Sequence, residues 1–429
     1  MRIAFPTALT PQMSAIILSF GLAATGARLS RYCGVAPLVK GLPFTAGRAL
    51  HCRLSHTLNV TGLMTGYTRR MQSVSDTAVR EHDQLLQARA LVDDLAARRP
   101  ALYWLDFGLT AAITWSAIAI YFTAAAWSPL QMTALLIGAI GLFRGGTFIH
   151  EIVHFRQNEM TAFKWAWNLL LGFPILSPWV LYRNHIEHHS RQHFGTPSDG
   201  EYLPLAASPP PVTIKYLLQV PLLPLLALMR FGILGPLSHL SSRWREWLLT
   251  RATAAVTNPY YRKRFPQRFE RELVRSEAFC WAWLLALALL TAFGPIETVH
   301  WLMAWVLLAL ALGLNWLRNL AAHGYANNGR RRTYLQQLED SINLTGQTWL
   351  TAWFFPVGLR YHALHHLLPG LPYHALGKAH RRLMDQLPES HPYRRCNQDN
   401  YFTVVGRLLA GAWSRRGDDR VVQRWRAGR

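Results

Sequence analysis

The sequence predicts an all-α integral membrane protein with four transmembrane helices in two hairpins, further helices at the membrane interface, and a helical cap on the cytosolic side. Half of the 429 residues (51%) are hydrophobic, and many of them form blocks too long for ordinary core helices. These blocks come in pairs joined by short turns. Lys and Arg number 45 against 23 Asp and Glu, and they gather between the blocks. Their position favours loops facing anionic lipid headgroups over a nucleic-acid partner.

The amino-terminal region differs in composition from the rest of the chain. Residues 1–75 contain no Asp or Glu but several Arg, as in a signal or transit segment. A start at Met64 or Met71 explains the same composition. The predicted division is therefore an extension over 1–75, a cytosolic lead-in helix over 76–100, a membrane domain over 101–395 and a basic cytosolic tail over 396–429.

Four apolar runs are long enough to cross a bilayer. The first pair covers residues 102–127 and 132–149, and the second covers 278–293 and 299–317. The turns inside both pairs lack Lys and Arg, whereas the segment from Arg243 to Arg275 on the opposite side is strongly basic. By the positive-inside rule, both termini and this segment are predicted to be cytoplasmic.

Two further apolar stretches, residues 165–182 and 212–237, are interrupted by prolines. The histidines described next flank these stretches and must share one side of the membrane. Neither stretch can then be a single full crossing, so both are predicted to be interfacial or re-entrant helices.

Three histidine motifs carry the predicted chemistry. They read HEIVH at 150–154, HIEHH at 185–189 and HALHH at 362–366. Positions i, i+3 and i+4 share one helix face, so each motif directs its imidazoles the same way. Eight imidazoles converging on one cavity suit two metal ions better than one. The eight predicted ligands are His150, His154, His185, His188, His189, His362, His365 and His366.

A fourth element adds two candidates. The last predicted span ends RNLAAH, which places Asn319 and His323 one turn apart on one helix face. By the predicted topology this helix end reaches the same side of the membrane as the three motifs. The scattered cysteines include no CxxC pair, so they predict neither a zinc nor an iron–sulfur site.

In order and in setting, the three motifs resemble the histidine boxes of membrane fatty acid desaturases. Asn319 and His323 are similar to the extra NxxxH element of the acyl-CoA desaturases. The resemblance covers about residues 100–395. The HxxxH spacing of the first box is closer to that of the acyl-lipid or bacterial members. The resemblance to the family implies a mushroom-shaped fold whose cytosolic cap holds two iron ions. The nine histidines would then be ligands, and Asn319 would act directly or through a water.

The resemblance also implies a reaction: O2 and two external electrons introduce a double bond into a lipid acyl chain. The chain shows no haem-binding HPGG and no ferredoxin-like cysteine set. The electrons are therefore expected from a separate ferredoxin, cytochrome b5 or reductase type of protein.

Groups beside the ligands are expected to orient the imidazoles through hydrogen bonds. The sequence offers Glu151, Glu187, His193, Asp340 and Asn343 for this role, with solvated or capping roles as alternatives. Asp199 and Glu201 follow the second box, and a plain turn is the favoured interpretation for them.

Alternative functions stay open on the sequence alone. An acyl-chain or carotenoid hydroxylase or ketolase shares the histidine boxes with desaturases. A histidine-lined metal transporter would place its ligands along a path through the spans. A relative with a degraded site is disfavoured because all nine histidines are present.

Overall fold

The computed structural model describes residues 83–428, which are mostly helical. The predicted extension over residues 1–75 lies outside the described residues. Of the predicted lead-in helix, the described part is helical over residues 83–92 and ends in a short 3-10 turn, Asp93–Leu95.

The first hairpin consists of α1 (Pro100–Thr123) and α2 (Pro129–Ile152). Each helix has proline in its first turn, where no backbone N–H needs a partner. The two helices approach closely at Gly141, where a Cβ atom would lie 2.2 Å from Thr114 Oγ1. This close packing fixes the position of the carboxyl end of α2, which carries the first histidine motif.

The second histidine motif follows a run of short elements. Helix α3 (Thr161–Trp167) continues into a π-helical turn, Asn168–Gly172, and a 3-10 turn, Trp179–Asn184, leads directly into α4 (His185–His188). No described helix of membrane-spanning length occupies the predicted interfacial stretch over residues 165–182.

The second hairpin consists of α9 (Glu270–Phe293) and α10 (Thr298–Asn319). Between the hairpins lie α5 (Pro210–Leu218), α6 (Leu223–Met229), α7 (Gly235–Ser238) and α8 (Ser242–Arg251). Helices α5 to α7 are joined by a 3-10 turn, Val220–Leu222, and a π-helical turn, Arg230–Leu234, and run as one apolar segment.

Five described helices are therefore long and apolar enough to cross a membrane, against the four spans predicted. This fits a multi-pass membrane protein. The fifth is the segment Pro210–Ser238, in which 3-10 and π-helical turns lie between short α-helices without ending the apolar run. Proline is tolerated in apolar helices when local 3-10 and π adjustments accommodate it, as they do here.

The two flanks of this segment contact the loops that follow histidine residues. On the upstream side, Ala206 N donates to Tyr325 O, two residues after His323. On the downstream side, Asn258 Nδ2 donates to Asp199 O. Both ends of the segment therefore lie at the same end of the helix bundle.

The remaining elements pack at that end. They include two-residue strands that pair in parallel, Asn343 with Asn397 and Leu344 with Gln398. Short 3-10 turns lie at Leu205–Ala207, Gln267–Phe269 and Pro392–Cys396. The elements, in chain order, are α11 (Tyr334–Asp340), β1 (Asn343–Leu344), α12 (Thr348–Phe354), α13 (His362–Leu367), α14 (Tyr373–Gln386), β2 (Asn397–Gln398), α15 (Tyr401–Ser414) and α16 (Arg420–Ala427).

Candidate metal centre

The structure brings eight of the predicted histidines together as two groups of four. Within each group, one nitrogen from every ring lies within 4.8 Å of the others. The first group, called cluster A below, is His154, His185, His189 and His365. The second, cluster B, is His188, His323, His362 and His366. Each group could hold a metal ion.

The ninth histidine, His150, lies beside cluster A. Its ring centroid is 4.4 Å from that of His185 and 4.1 Å from that of His365, and its buried Nε2 has no hydrogen-bond partner. Because α2 places His150 and His154 one turn apart, both imidazoles reach the same cluster.

The second motif supplies both clusters at once. His185 and His189 are four residues apart and belong to cluster A, while His188 points into cluster B. The third motif divides in the same way, with His365 in cluster A and His362 and His366 in cluster B. The two sites therefore share two short helices, α4 and α13, and lie next to each other, with the rings of His189 and His366 only 4.3 Å apart.

Carboxylates orient two of the imidazoles from outside. His188 Nδ1 lies 2.9 Å from Asp199 Oδ2, and His185 Nδ1 lies 3.0 Å from both carboxylate oxygens of Glu201. A carboxylate can only accept, so each Nδ1 carries the proton and each Nε2 is left with a lone pair directed inward.

The inward nitrogens crowd one another. His188 Nε2 lies 3.1 Å from His323 Nε2, and His362 Nε2 lies 3.0 Å from the same atom. Burial lowers the pKa of His323 and His362 well below that of free histidine, so these rings are neutral. Converging ring nitrogens in a buried cluster are the arrangement that a cation at the centre would satisfy.

The remaining candidate ligand is placed differently. Asn319 Nδ2 donates to Tyr216 Oη at 3.2 Å, and its role as a ligand, directly or through a water, stays a prediction. The amide is engaged in positioning the end of α10 beside α5.

The five residues predicted to orient imidazoles also divide. Asp340 comes near one, with Oδ2 3.9 Å from His323 Nδ1. Glu151 accepts from Tyr103 Oη and Tyr373 N, so it joins α1, α2 and α14. Asn343 accepts from Leu364 N and so holds the backbone of α13.

The other two predicted groups have no contact with a ligand ring. Glu187 pairs with Lys263 and Tyr261 on the outer side of α4. His193 lies in neither cluster, and its buried Nδ1 has no partner.

Four groups that contact ligand rings were not predicted to do so from the sequence. Asp199 and Glu201 were assigned to a turn, although Asp199 also accepts from Gly195 N and so shapes that turn. Gln337 Nε2 lies 3.1 Å from His366 Nδ1, and Ser341 Oγ lies 3.3 Å from His323 Nδ1. Asp199 and Glu201 could have been identified from the sequence, because they are two acidic residues that closely follow a histidine motif in a chain with few acids.

Burial raises the pKa of Glu201 to about 7 and that of Asp340 to about 6. Both carboxyls are thus sensitive to the charge beside them. A cation in the clusters would favour their ionised forms, and the ionised forms hold the imidazoles in the metal-binding tautomer.

Comparison with known proteins agrees with this geometry. The family model described as "Fatty acid desaturase" matches residues 125–397. The chain is also similar to the ceramide hydroxylase of Caulobacter vibrioides (strain NA1000 / CB15N), with 36% identity over 324 residues. That alignment covers 75% of this chain and 92% of the relative. All the histidines of clusters A and B fall within the matched range.

Proposed function

The chain belongs to the fatty acid desaturase family, and from this premise we propose that it is a membrane hydroxylase that uses O2 and two electrons to hydroxylate a hydrocarbon chain of a ceramide-like lipid. Histidine clusters A and B carry the proposal. The family consists of oxidoreductases, so the open question is the reaction and its substrate. The ceramide hydroxylase, which aligns over most of its length, supports hydroxylation.

Two iron ions are the metals we propose for the clusters. Imidazole is a good ligand for iron, and five histidines in and beside cluster A and four in cluster B suit one ion each. When bound, iron supplies the activation of O2 and the removal of hydrogen from an unactivated carbon, which acid–base side chains cannot supply. Hydroxylation then balances as RH + O2 + 2e⁻ + 2H⁺ giving ROH + H2O.

The protein's own residues hold and shield the centre. Asp199 and Glu201 fix the rings of His188 and His185. The ring of Phe194 packs 5.2 Å from that of His188 and excludes water from one side of cluster B. A rigid, dry pocket of this kind is what O2 chemistry on a hydrocarbon requires.

Desaturation of an acyl chain is the second candidate, supported by the description of the matching family model. It uses the same site and balances as R–CH2–CH2–R′ + O2 + 2e⁻ + 2H⁺ giving R–CH=CH–R′ + 2 H2O. The two reactions differ after the first hydrogen is removed. Loss of a hydrogen from the neighbouring carbon gives the alkene, whereas addition of a hydroxyl group to the same carbon gives the alcohol. A ketolase or carotenoid hydroxylase would use the same centre on a different substrate.

We propose that the electrons come from a separate ferredoxin, cytochrome b5 or reductase type of protein. The described residues include only two cysteines, Cys280 and Cys396, and both are buried. We further propose that the histidine end of the bundle is cytoplasmic, where such a donor is available. The basic segment over residues 243–275 contacts this end, because its Tyr261 and Lys263 bond to Glu187, and it supports that orientation.

Lipid analysis by mass spectrometry, after expression in a host that makes dihydroceramide, tests the proposal. A gain of one oxygen indicates hydroxylation, and a loss of two hydrogens indicates desaturation. His188→Ala should abolish either product, whereas His239→Ala should not, because His239 is about half exposed and lies outside both clusters. Activity in the His188→Ala variant would contradict a catalytic role for the clusters. Metal flux without oxidised lipid would favour the transporter.

A further inference from the structure

Arg318 is a buried cation that lacks an ionic partner. Its side chain is 8% exposed, and its Nε is buried without any hydrogen-bond partner. Among the described residues, its hydrogen bond is the one that Nη2 donates to Asn315 Oδ1, a neutral acceptor, at 2.7 Å. An isolated buried charge is costly, and proteins normally pair it.

Other shielded arginines in the described part of the chain are paired. Arg230 donates to Glu277 at 2.5 Å and Arg98 to Glu159 at 3.0 Å. Arg144 pairs with Asp106. Arg318 therefore differs from these arginines, because it has no carboxylate partner. Its guanidinium can donate to a further acceptor.

Arg318 lies where the apolar helices end beside the candidate metal centre. It occupies the last turn of α10, five residues before His323, on the face that also buries Leu307 and Ala311. Leu307 lies on the face of α10 that packs on α2, because its Cδ1 would lie 3.3 Å from a Cβ at Gly138. Helix α2 ends beside cluster A, so Arg318 is level with His150, where these helices reach the histidines.

Phenols surround the guanidinium without neutralising it. Tyr182, Tyr216 and Tyr325 are close enough for electrostatic interaction with Arg318. The Glu201 carboxylate interacts with Arg318 at longer range than an ion pair, and its oxygens are bonded to Tyr182 and His185. The hydroxyl groups of the three tyrosines already donate to Glu201, Trp316 O and Asn319 O. Uncharged phenols that are engaged elsewhere leave the positive charge available to a ligand.

We propose that Arg318 binds an acceptor oxygen at the polar end of the lipid substrate and so determines which carbon lies at the metal centre. This inference rests on the proposed function. A saturated chain carries no feature by which the protein could fix its register, because every methylene offers the same contacts. A charge-assisted hydrogen bond to the polar end supplies that register. The oxygen can belong to a neutral ceramide or to an ionised carboxylate, and the test distinguishes the two.

The test compares wild-type protein with Arg318→Met and Arg318→Lys on three probes. These are dihydroceramide, its analogue lacking the primary hydroxyl, and palmitate. The matched control is Arg230→Met, which removes a buried arginine away from the clusters while Arg245 still pairs with Glu277. Iron per chain, KM, kcat and the position of oxidation in the product are measured.

Arg318→Met is expected to keep two irons per chain and to raise KM about 10- to 100-fold, the range for a hydrogen bond to a charged group. Its product should be spread over neighbouring carbons, and Arg318→Lys should restore part of both properties. Arg230→Met should leave KM and the oxidised position unchanged. If the primary hydroxyl is the acceptor, its removal should raise the wild-type KM but not that of Arg318→Met. A larger loss on palmitate would assign a carboxylate.

Unchanged KM and product position in iron-loaded Arg318→Met would overturn the inference, and so would loss of iron from both Arg318 variants. If the wild type oxidises none of the probes, the proposed function fails separately. Equilibrium binding of fluorescent dihydroceramide then still decides the role of Arg318. Equal binding by wild type and Arg318→Met contradicts that role, and weaker binding by the variant supports it.

Discussion

At the scale of single residues, the centre depends on which nitrogen of each imidazole carries the proton. Asp199 and Glu201 bond to Nδ1 of His188 and His185 and so direct the Nε2 lone pairs inward. Without these acceptors the neutral rings could adopt the other tautomer or rotate. We therefore expect the two carboxylates to influence metal affinity through the imidazoles that they orient.

Replacing either carboxylate should weaken iron binding. For Asp199→Asn and Glu201→Gln we expect a loss of affinity of about 10- to 100-fold, since the amide can no longer hold the required tautomer firmly. Glu187→Gln is the matched control, because Glu187 precedes His188 but faces Lys263. Iron per chain, measured by elemental analysis during titration with a chelator, reports the affinity. A greater loss in Glu187→Gln than in Asp199→Asn would contradict this assignment.

The histidines were predicted from their spacing in the sequence, but the carboxylates that bond to them, Asp199 and Glu201, were not. Spacing along a helix determines which side chains share a face, and that local rule was enough to predict that the three motifs converge. It did not predict that the second and third motifs each divide between clusters A and B. Asp199 reaches His188 through a turn held by Gly195, whereas the nearer Glu187 points outward. Short loops follow no such periodicity, so proximity in sequence misidentified the orienting acid.

At the scale of elements, the carboxyl end of α2 leaves open space beside the histidines. Gly146 lies one turn before His150 on the same side of the helix, and a Cβ placed there would have no atom within 4 Å. Gly145, by contrast, would place a Cβ 2.5 Å from Leu171 Cδ1. We expect a hydrocarbon chain to pass along this open face on its way to the histidines.

Filling this space should block the substrate and spare the metal. We expect Gly146→Leu to retain two irons per chain and to lose at least about ten-fold in kcat/KM, because a chain displaced by one side chain no longer reaches the productive geometry. Gly108→Leu on α1 is the matched control, since that position is also open and is exposed away from the clusters. Steady-state kinetics on dihydroceramide measures the effect. Equal activity in both variants would exclude this route.

The number of membrane crossings depends on whether the segment Pro210–Ser238 crosses the bilayer. If this segment crossed the bilayer, the chain would have to return through α8, because Asn258 downstream of α8 donates to Asp199 O at the histidine end. Helix α8 has only ten residues, Ser242–Arg251, or about 15 Å of helix against about 30 Å of hydrocarbon. The contacts therefore favour a re-entrant segment over a fifth crossing.

Cysteine labelling should place both flanks of this segment on one side. Lys215 and Arg243 are both exposed. In a background without native cysteines, Lys215→Cys and Arg243→Cys should react with an impermeant maleimide from the same side of the membrane. Trp127→Cys, in the turn between α1 and α2, should react only from the opposite side. Labelling of Lys215→Cys and Arg243→Cys from opposite sides would establish the crossing and refute the re-entrant assignment.

At the scale of the whole molecule, the candidate ligands come from four separated parts of the chain. They lie at the end of α2, on α4, after α10 and on α13. Both clusters take ligands from α4 and α13, and cluster B alone includes His323. Bound metal would therefore join the two hairpins to the elements packed at the histidine end, in addition to the contacts between side chains.

Removing the metal should loosen that end of the molecule more than the hairpins. A ligand that binds only the folded state stabilises it by about 4 kcal/mol at a thousand times its dissociation constant. We therefore expect iron depletion to lower the Tm of detergent-solubilised protein and to speed hydrogen exchange over residues 185–204 and 334–367. Exchange within α1 and α2 should change little, because contacts such as that of Gly141 with Thr114 join these helices independently of the histidines. Adding Fe²⁺ back should restore protection. Uniform exchange across all helices, or none of these changes, would show that the metal does not hold the assembly together.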